Sequence, residues 1–222
     1  MGNWQRLVWN QRDALMAGIV VTVEVCAIAF AIAVLVGLLL CLVRMYVRPL
    51  RPIVIVVIEF FRATPILVQL LWVNYAWPEI FGWPTSFYQA ACTALALQSS
   101  GYLAETFRSG IEGLPKGHVE AGVAVGMGPV QIFIRIVLPQ VALVMAPSLI
   151  NQIAVIIKSS TLISVIAIPD LMYEALRIVN QWFEPIEILT SVGLLYFILI
   201  FAISMTANQL AQFFNRKLGL VA

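Results

Sequence analysis

Charge is what this sequence has least of. Across 222 residues, 13 basic and 11 acidic side chains make up only 11% of positions, where a soluble domain carries about 25%. Such a chain cannot coat a globule with polar surface, which excludes an ordinary water-soluble domain. With 62% hydrophobic residues it is not a disordered one either. A net charge of +2 gives no argument for nucleic acid. Histidine occurs once, and Cys26, Cys41 and Cys92 lie in apolar runs without metal-ligand spacing. No metal site is expected, and the cysteines read as small buried hydrophobes. A G-x-x-x-x-G-K-[ST] phosphate loop is missing as well, so no nucleotide site of that design is encoded. No repeat, low-complexity stretch or linker divides the chain, which reads as one membrane domain over 1–222.

Long apolar runs are what it has instead. A spanning helix needs roughly 20 predominantly apolar residues, and five segments qualify: about 14–43, 52–77, 87–107, 136–157 and 186–214. The first, with Glu24 its only charge, is about 45 Å long and exceeds the ~30 Å hydrocarbon core, so it tilts or protrudes. It is too long for a cleaved signal peptide. The second is interrupted by Glu59, Arg62 and Pro65. It is either one crossing, or 53–61 lies along the membrane surface and the chain enters at Thr64-Pro65.

Basic residues in the connections set the orientation. Arg44, Arg48, Arg51, Arg108, Lys116, Arg135, Arg216 and Lys217 all fall on one side of a five-span arrangement. Arg6, Arg12, Arg177 and Lys158 fall on the other. The N-terminus is therefore expected outside and the C-terminus in the cytoplasm. Trp4, Trp9, Trp72, Trp77, Trp83 and Trp182 all land near the outer face, where indole favours the interface.

Ionisable groups inside spans are expensive and point to function. Glu59 with Arg62, Glu105 with Arg108, and Glu174 with Arg177 have the i, i+3 spacing of helix neighbours. Each pair either eases insertion at a span end or borders an aqueous path. Thr64, Gln69 and Asn74, then Gln98, Ser99, Ser100 and Tyr102, are either interhelical hydrogen bonds or path lining. Lys158-Ser159-Ser160-Thr161 separates two apolar stretches. It reads as a helix break lining a cavity, or as an outer loop with a snorkelling lysine. A Ser–Lys nucleophile is formally present there but has no orienting partner or oxyanion donor.

The longest inner connection, 110–139, carries Glu112, Lys116, His118 and Glu120 and then the small-residue run 121–128. Small side chains let another protein approach closely, which suits a docking element. Glu120-Ala121-Gly122, Gly126, and Ile136-Val137-Leu138-Pro139 match E-A-A-x(3)-G-x(9)-I-x-L-P, with Gly122 in place of the second alanine. This pattern resembles the EAA loop of the membrane subunits of bacterial ABC importers. Phe61-Arg62-Ala63-Thr64-Pro65-Ile66-Leu67-Val68-Gln69 is similar to the F-R-G-T-P-L-L-V-Q segment of the polar amino-acid permease branch. The stretch from Gly101 through Glu105 and Arg108 to Ile111, the run Leu138-Pro139-Gln140, and Lys158 to Leu162 resemble that branch's A-Y-x-x-E-x-x-R-x-x-I, L-P-Q and K-D-T-S-L.

The resemblance covers about 14–215 and implies an all-α integral membrane protein of about five helices, a type I ABC importer permease core. It implies two permease chains, identical or paralogous, above an ATPase dimer that binds ATP and magnesium, with no cofactor in this chain. A periplasmic or surface binding protein would deliver an amino acid. The location implied is the bacterial cytoplasmic (inner) membrane. Coupling to the ATPase would fall to Glu120, Ala121, Gly122, Gly126, Gly128 and Pro139, within about 110–135 and its C-terminal end. The substrate path would involve Arg62, Thr64, Gln69, Glu105, Lys158, Ser159, Ser160 and Thr161. His118 stands where the branch usually has glutamine, a local change at the docking loop. Ser159 stands where many relatives carry an acid, which argues against a strongly cationic substrate or assigns that role to the second permease chain. An importer of an amino-acid derivative such as an opine or cystine shares these motifs. An ATP-independent channel or carrier needs no ATPase dock, and an intramembrane enzyme lacks any assembled catalytic group.

Overall fold

The computed structural model describes residues 9–217, apart from the side chains of Lys116 and of 210–217. Trp4 and Arg6, expected near the outer face, lie outside the described residues, as do the side chains of Arg216 and Lys217. Helix α1 (Arg12–Tyr46) runs about 52 Å, and its buried positions Thr22, Cys26, Ala29, Ala33, Gly37 and Cys41 recur every three or four residues. These small side chains let it lie against α4 (Phe87–Glu112): a Cβ on Gly37 would sit 2.9 Å from Leu103 Cβ and 3.0 Å from Ser100 O. The opposite face presents Val20, Leu35 and Leu39 outward.

Between them the chain forms α2 (Arg51–Ala63) and α3 (Ile66–Phe81), bent by 107° at Thr64-Pro65. The second expected span is therefore not a straight crossing. Pro65 lacks an N–H and pushes Thr64 into an extended conformation, ψ 133°, so the helix stops there. Stopping strands the last carbonyls of α2, a heavy cost away from water. Two side chains answer it: Gln69 Nε2 donates to Phe61 O at 2.7 Å and Thr64 O at 3.0 Å, and Tyr102 OH donates to Arg62 O at 3.2 Å. Thr64 Oγ1 adds a second bond, at 2.7 Å, to Phe60 O, which already accepts the Thr64 N–H. Phe60 packs edge-on against Trp72 across the elbow, with centroids 5.9 Å apart.

Helix α4 begins at Ser86, whose Oγ accepts the Gln89 N–H. With its alanines, serines and Gly101 it is not apolar enough to be recognised as a span by composition, whereas Arg12–Tyr46, Pro129–Ile166 and Pro185–Gln209 are. The reason is its position. It is the central helix, packed against α1, α2, α3 and α6, so it faces protein rather than lipid.

After the short α5 (Lys116–Ala124), α6 runs from Pro129 to Ile166. Its first turns widen into a π turn at Phe133–Val137 directly before Leu138-Pro139. That widening absorbs the N–H missing at Pro139. The helix does not break at Lys158–Thr161. It tightens into a 3-10 turn at Thr161–Ile166, with Ser160 Oγ donating to Ile157 O and Thr161 Oγ1 to Lys158 O, each at 2.8 Å. The expected break there is thus corrected: the chain stays helical, and these hydroxyls bond back to the Ile157 and Lys158 carbonyls of their own helix. The helix ends instead at Ala167, φ +58°.

Asp170 then caps α7 (Leu171–Trp182), its Oδ1 accepting the Tyr173 N–H at 2.9 Å. Helix α7 docks on α1, where Thr22 Oγ1 accepts the Leu171 N–H and Gly18 admits the Leu171 backbone. Helix α8 (Pro185–Lys217) follows, with Leu194, Phe197, Ile198, Phe201 and Met205 exposed as an apolar stripe.

Burial pushes the Asp170 carboxyl up to about 6, against the lowering pull of the Tyr173 N–H. The folded chain thus holds this proton more tightly than the unfolded one. Stability from this group is fully present below the unfolded value of 3.8 and is lost as pH rises through about 6. Asp170→Asn keeps a cap acceptor without the charge, so its thermal midpoint should lose this pH dependence between about pH 4 and pH 6. Asp170→Ala should cost about 1 kcal/mol at low pH.

Candidate functional site

Two places in the fold carry groups that the core does not use. The first is the link between α4 and α6. Helix α5 ends with Met127 N–H donating to Gly122 O at 3.0 Å and Gly126 N–H to Val123 O at 2.9 Å. This is a Schellman end, whose left-handed residue is Gly126, φ +79°. Gly122 is buried, and a Cβ there would lie 2.9 Å from Ile136 Cδ1 and 3.0 Å from Ile132 Cγ1. Its smallness serves the packing of α5 on α6. Gly128 lies in open space and starts α6, while Pro139 shapes the helix beyond it. Glu120 and Ala121 are exposed.

The outward surface here is apolar: Val123 is 61% exposed, Val125 76% and Val130 72%. Beside it runs a groove of about 800 Å³ with Val119, Met127 and Phe133 in its walls and Glu112 and Glu120 among its lining groups. The valines were legible as apolar residues inside a charged connection, yet only the glycine and acid pattern drew notice. His118 is hydrogen-bonded to the Gln140 side chain and so ties α5 to α6.

Charge braces this end. Glu105 Oε2 accepts Arg44 Nη1 at 2.5 Å, and its other oxygen meets Arg108, which also pairs with Glu112. The Glu105–Arg108 neighbour pair follows from spacing. Arg44 does not, since it comes from another helix 61 residues away.

The second place is a polar recess of about 490 Å³ between α4 and α6, lined by Arg62, Tyr102, Glu105, Ser148, Asn151 and Gln152 among others. Arg62 pairs with Glu59 at 2.9 Å. Arg62 Nε and Gln152 Nε2 are buried without a hydrogen-bond partner, which is unusual for buried donors. Of the expected path residues, the recess brings together Arg62 and Glu105. Gln69 is 1% exposed, its Nε2 bonded to the elbow carbonyls and its Oε1 without a partner, and the Thr64 hydroxyl is bonded to Phe60 O. Ser160 is fully buried and bonded to its own helix. Lys158 is exposed seven residues, two turns, beyond Asn151, hence on the same face of α6. Ser148, Asn151 and Gln152 escaped the sequence reading. The period-of-3.6 signal was present, but it sat inside an apolar run.

Long apolar helices around a polar recess, joined by a link with an apolar outer face, define a multi-pass membrane protein of the transport class. The chain belongs to the family of binding-protein-dependent transport system inner membrane components, whose family model matches residues 14–220. It is 31% identical over 210 residues to the octopine transport system permease protein OccM of Rhizobium radiobacter, covering 89% of this chain and 84% of that one. It is 29% identical over 187 residues to the arginine transport system permease protein ArtQ of Bacillus subtilis (strain 168), covering 84% and 85%. A crystal structure of an amino acid ABC transporter with histidines superposes with a TM-score of 0.82 at 29% identity, over 98% of this chain and 99% of that one.

Proposed function

We propose that this chain is the permease subunit of an ATP-driven importer of amino acids or their derivatives, with the recess between α4 and α6 forming part of the substrate path. The observation that carries this reading is the pair of unpartnered buried donors, Arg62 Nε and Gln152 Nε2, among the residues around one polar recess. A substrate carboxylate supplies the acceptors they lack. The relatives' names, octopine and arginine permeases, agree with a carboxylate-bearing substrate.

The α5 link is the ATPase dock. Valines as exposed as Val123 and Val125 outside the apolar helices are normally covered by a protein. An ATPase dimer beneath two permease chains would bind the ATP and magnesium, and a binding protein would deliver substrate from the opposite face. The N-terminus lies outside and the C-terminus in the cytoplasm, as the basic residues indicate.

Gln152→Leu tests the path. Removing an unpartnered buried donor relieves a desolvation cost of about 1–3 kcal/mol, so the complex should be at least as stable as wild type. Uptake of labelled amino acid by reconstituted vesicles should nevertheless fall about tenfold. Undiminished uptake by a stable Gln152→Leu complex would remove the recess from the path.

A further inference from the structure

Arg62 is held from four directions, and one residue accounts for two of them. Glu59 Oε1 takes its Nη1 at 2.9 Å. Gly101 lies so close that a Cβ there would be 3.0 Å from Arg62 Cγ. The next residue, Tyr102, places its ring 5.5 Å from the Arg62 guanidinium carbon and donates its hydroxyl proton to Arg62 O at 3.2 Å. Tyr102 therefore grips Arg62 at its backbone and at its charged head, and it also lines the polar recess.

We propose that Tyr102 is a positioning residue that presents the Arg62 guanidinium to substrate in the recess, by cation–π contact and by fixing the end of α2. This rests on the recess being the substrate path. A guanidinium on a free stem loses rotamer freedom when it binds a carboxylate, whereas one drawn over a ring by cation–π attraction has already lost part of it. The Glu59 pair neutralises charge but leaves the plane of the guanidinium free to turn. The aromatic face, 5.5 Å from the guanidinium carbon, draws the charged head toward Tyr102 and narrows where it can swing. The hydroxyl bond stops the last turn of α2, which carries Arg62, from unwinding at the elbow.

The test is equilibrium binding of labelled glutamine and labelled arginine to the whole permease–ATPase complex in nanodiscs, without binding protein. Tyr102→Leu should weaken binding of the bound probe about tenfold. Tyr102→Phe, which keeps the ring, should stay within about threefold of wild type. Arg62→Gln should weaken binding as much as Tyr102→Leu does, and adding Tyr102→Leu to Arg62→Gln should change nothing further. If Tyr102→Leu does not assemble, Tyr102→Met, of similar bulk without a π face, takes its place with the same expectation. Wild-type binding by the aliphatic variant while Arg62→Gln is weakened overturns the proposal, as does full additivity of the two changes. Wild-type binding by Arg62→Gln, or no saturable binding of either probe by the unaltered complex, overturns the recess reading itself.

Discussion

Gln69→Leu should cripple assembly of the permease while leaving each assembled molecule competent. The glutamine looks like a substrate contact when read along the chain, being an amide in an apolar run next to an arginine. In the fold its Nε2 bridges Phe61 O and Thr64 O, two of the carbonyls that the Pro65 break leaves without helical donors. Leucine has similar bulk and no donor, so both acceptors would be buried unpaired. At about 1–3 kcal/mol for each, offset in part by removing Gln69's own unpartnered Oε1, the net loss is about 1–3 kcal/mol, a sizeable share of a typical folding free energy. The thermal midpoint of the purified complex should drop by about 2–10 °C, and the yield of monodisperse protein should fall with it. Thr64→Val should do much less, since Phe60 O keeps the Thr64 backbone N–H at 3.1 Å. Uptake divided by assembled complex separates the two roles. An unchanged midpoint with collapsed uptake per molecule would return Gln69 to the substrate path.

The second large effect concerns the link that faces the ATPase in this account. Gly126→Trp is the obvious way to block a docking surface, but φ at Gly126 is +79°, so any side chain there strains the turn as well as adding bulk. Gly122→Trp would drive a ring into Ile132 and Ile136 and unseat α5. Gly128→Trp avoids both problems. Its φ is −72° and nothing lies within 4 Å of a Cβ at that position. The variant should insert, fold and pair as wild type does, with an indole standing on the apolar surface beside Val125 and Val130. ATP hydrolysis stimulated by the binding protein should fall at least tenfold, because a tryptophan occupies space that the ATPase cleft needs.

Much of this was legible along the chain, and the misreadings share a cause. Apolar runs marked α1, α6 and α8 because their outer faces meet lipid, and basic residues at their ends set an expected orientation. Helix α4 was weaker by composition because its neighbours are helices. Its alanines and serines record close packing, as Gly37 against Ser100 and Leu103 shows. Neighbours on one helix, such as Glu59 with Arg62, follow from spacing, whereas Arg44 with Glu105 needs the fold. The elbow is the instructive case. Thr64, Pro65 and Gln69 form a recognisable motif, but only the 107° turn shows that the Thr64 hydroxyl and the Gln69 amide nitrogen bond to backbone carbonyls there. Lys158 to Thr161 failed for a related reason, since hydroxyls can bond back to their own helix and need no break. The spacing of Gly122 and Gly126 does not tell their local parts, which the fold supplies: one packs on Ile132 and Ile136, and the other makes a left-handed turn.

The central claim is that ATP hydrolysis by a partner, acting through the α5 link, drives amino-acid entry through this chain. The most direct measurement is uptake of labelled amino acid by proteoliposomes that contain the permease with its ATPase, with and without ATP and with and without the binding protein. The account predicts uptake only when both are present, and none with Gly128→Trp. Uptake down a gradient without ATP, or unimpaired uptake by the Gly128→Trp complex, would contradict it.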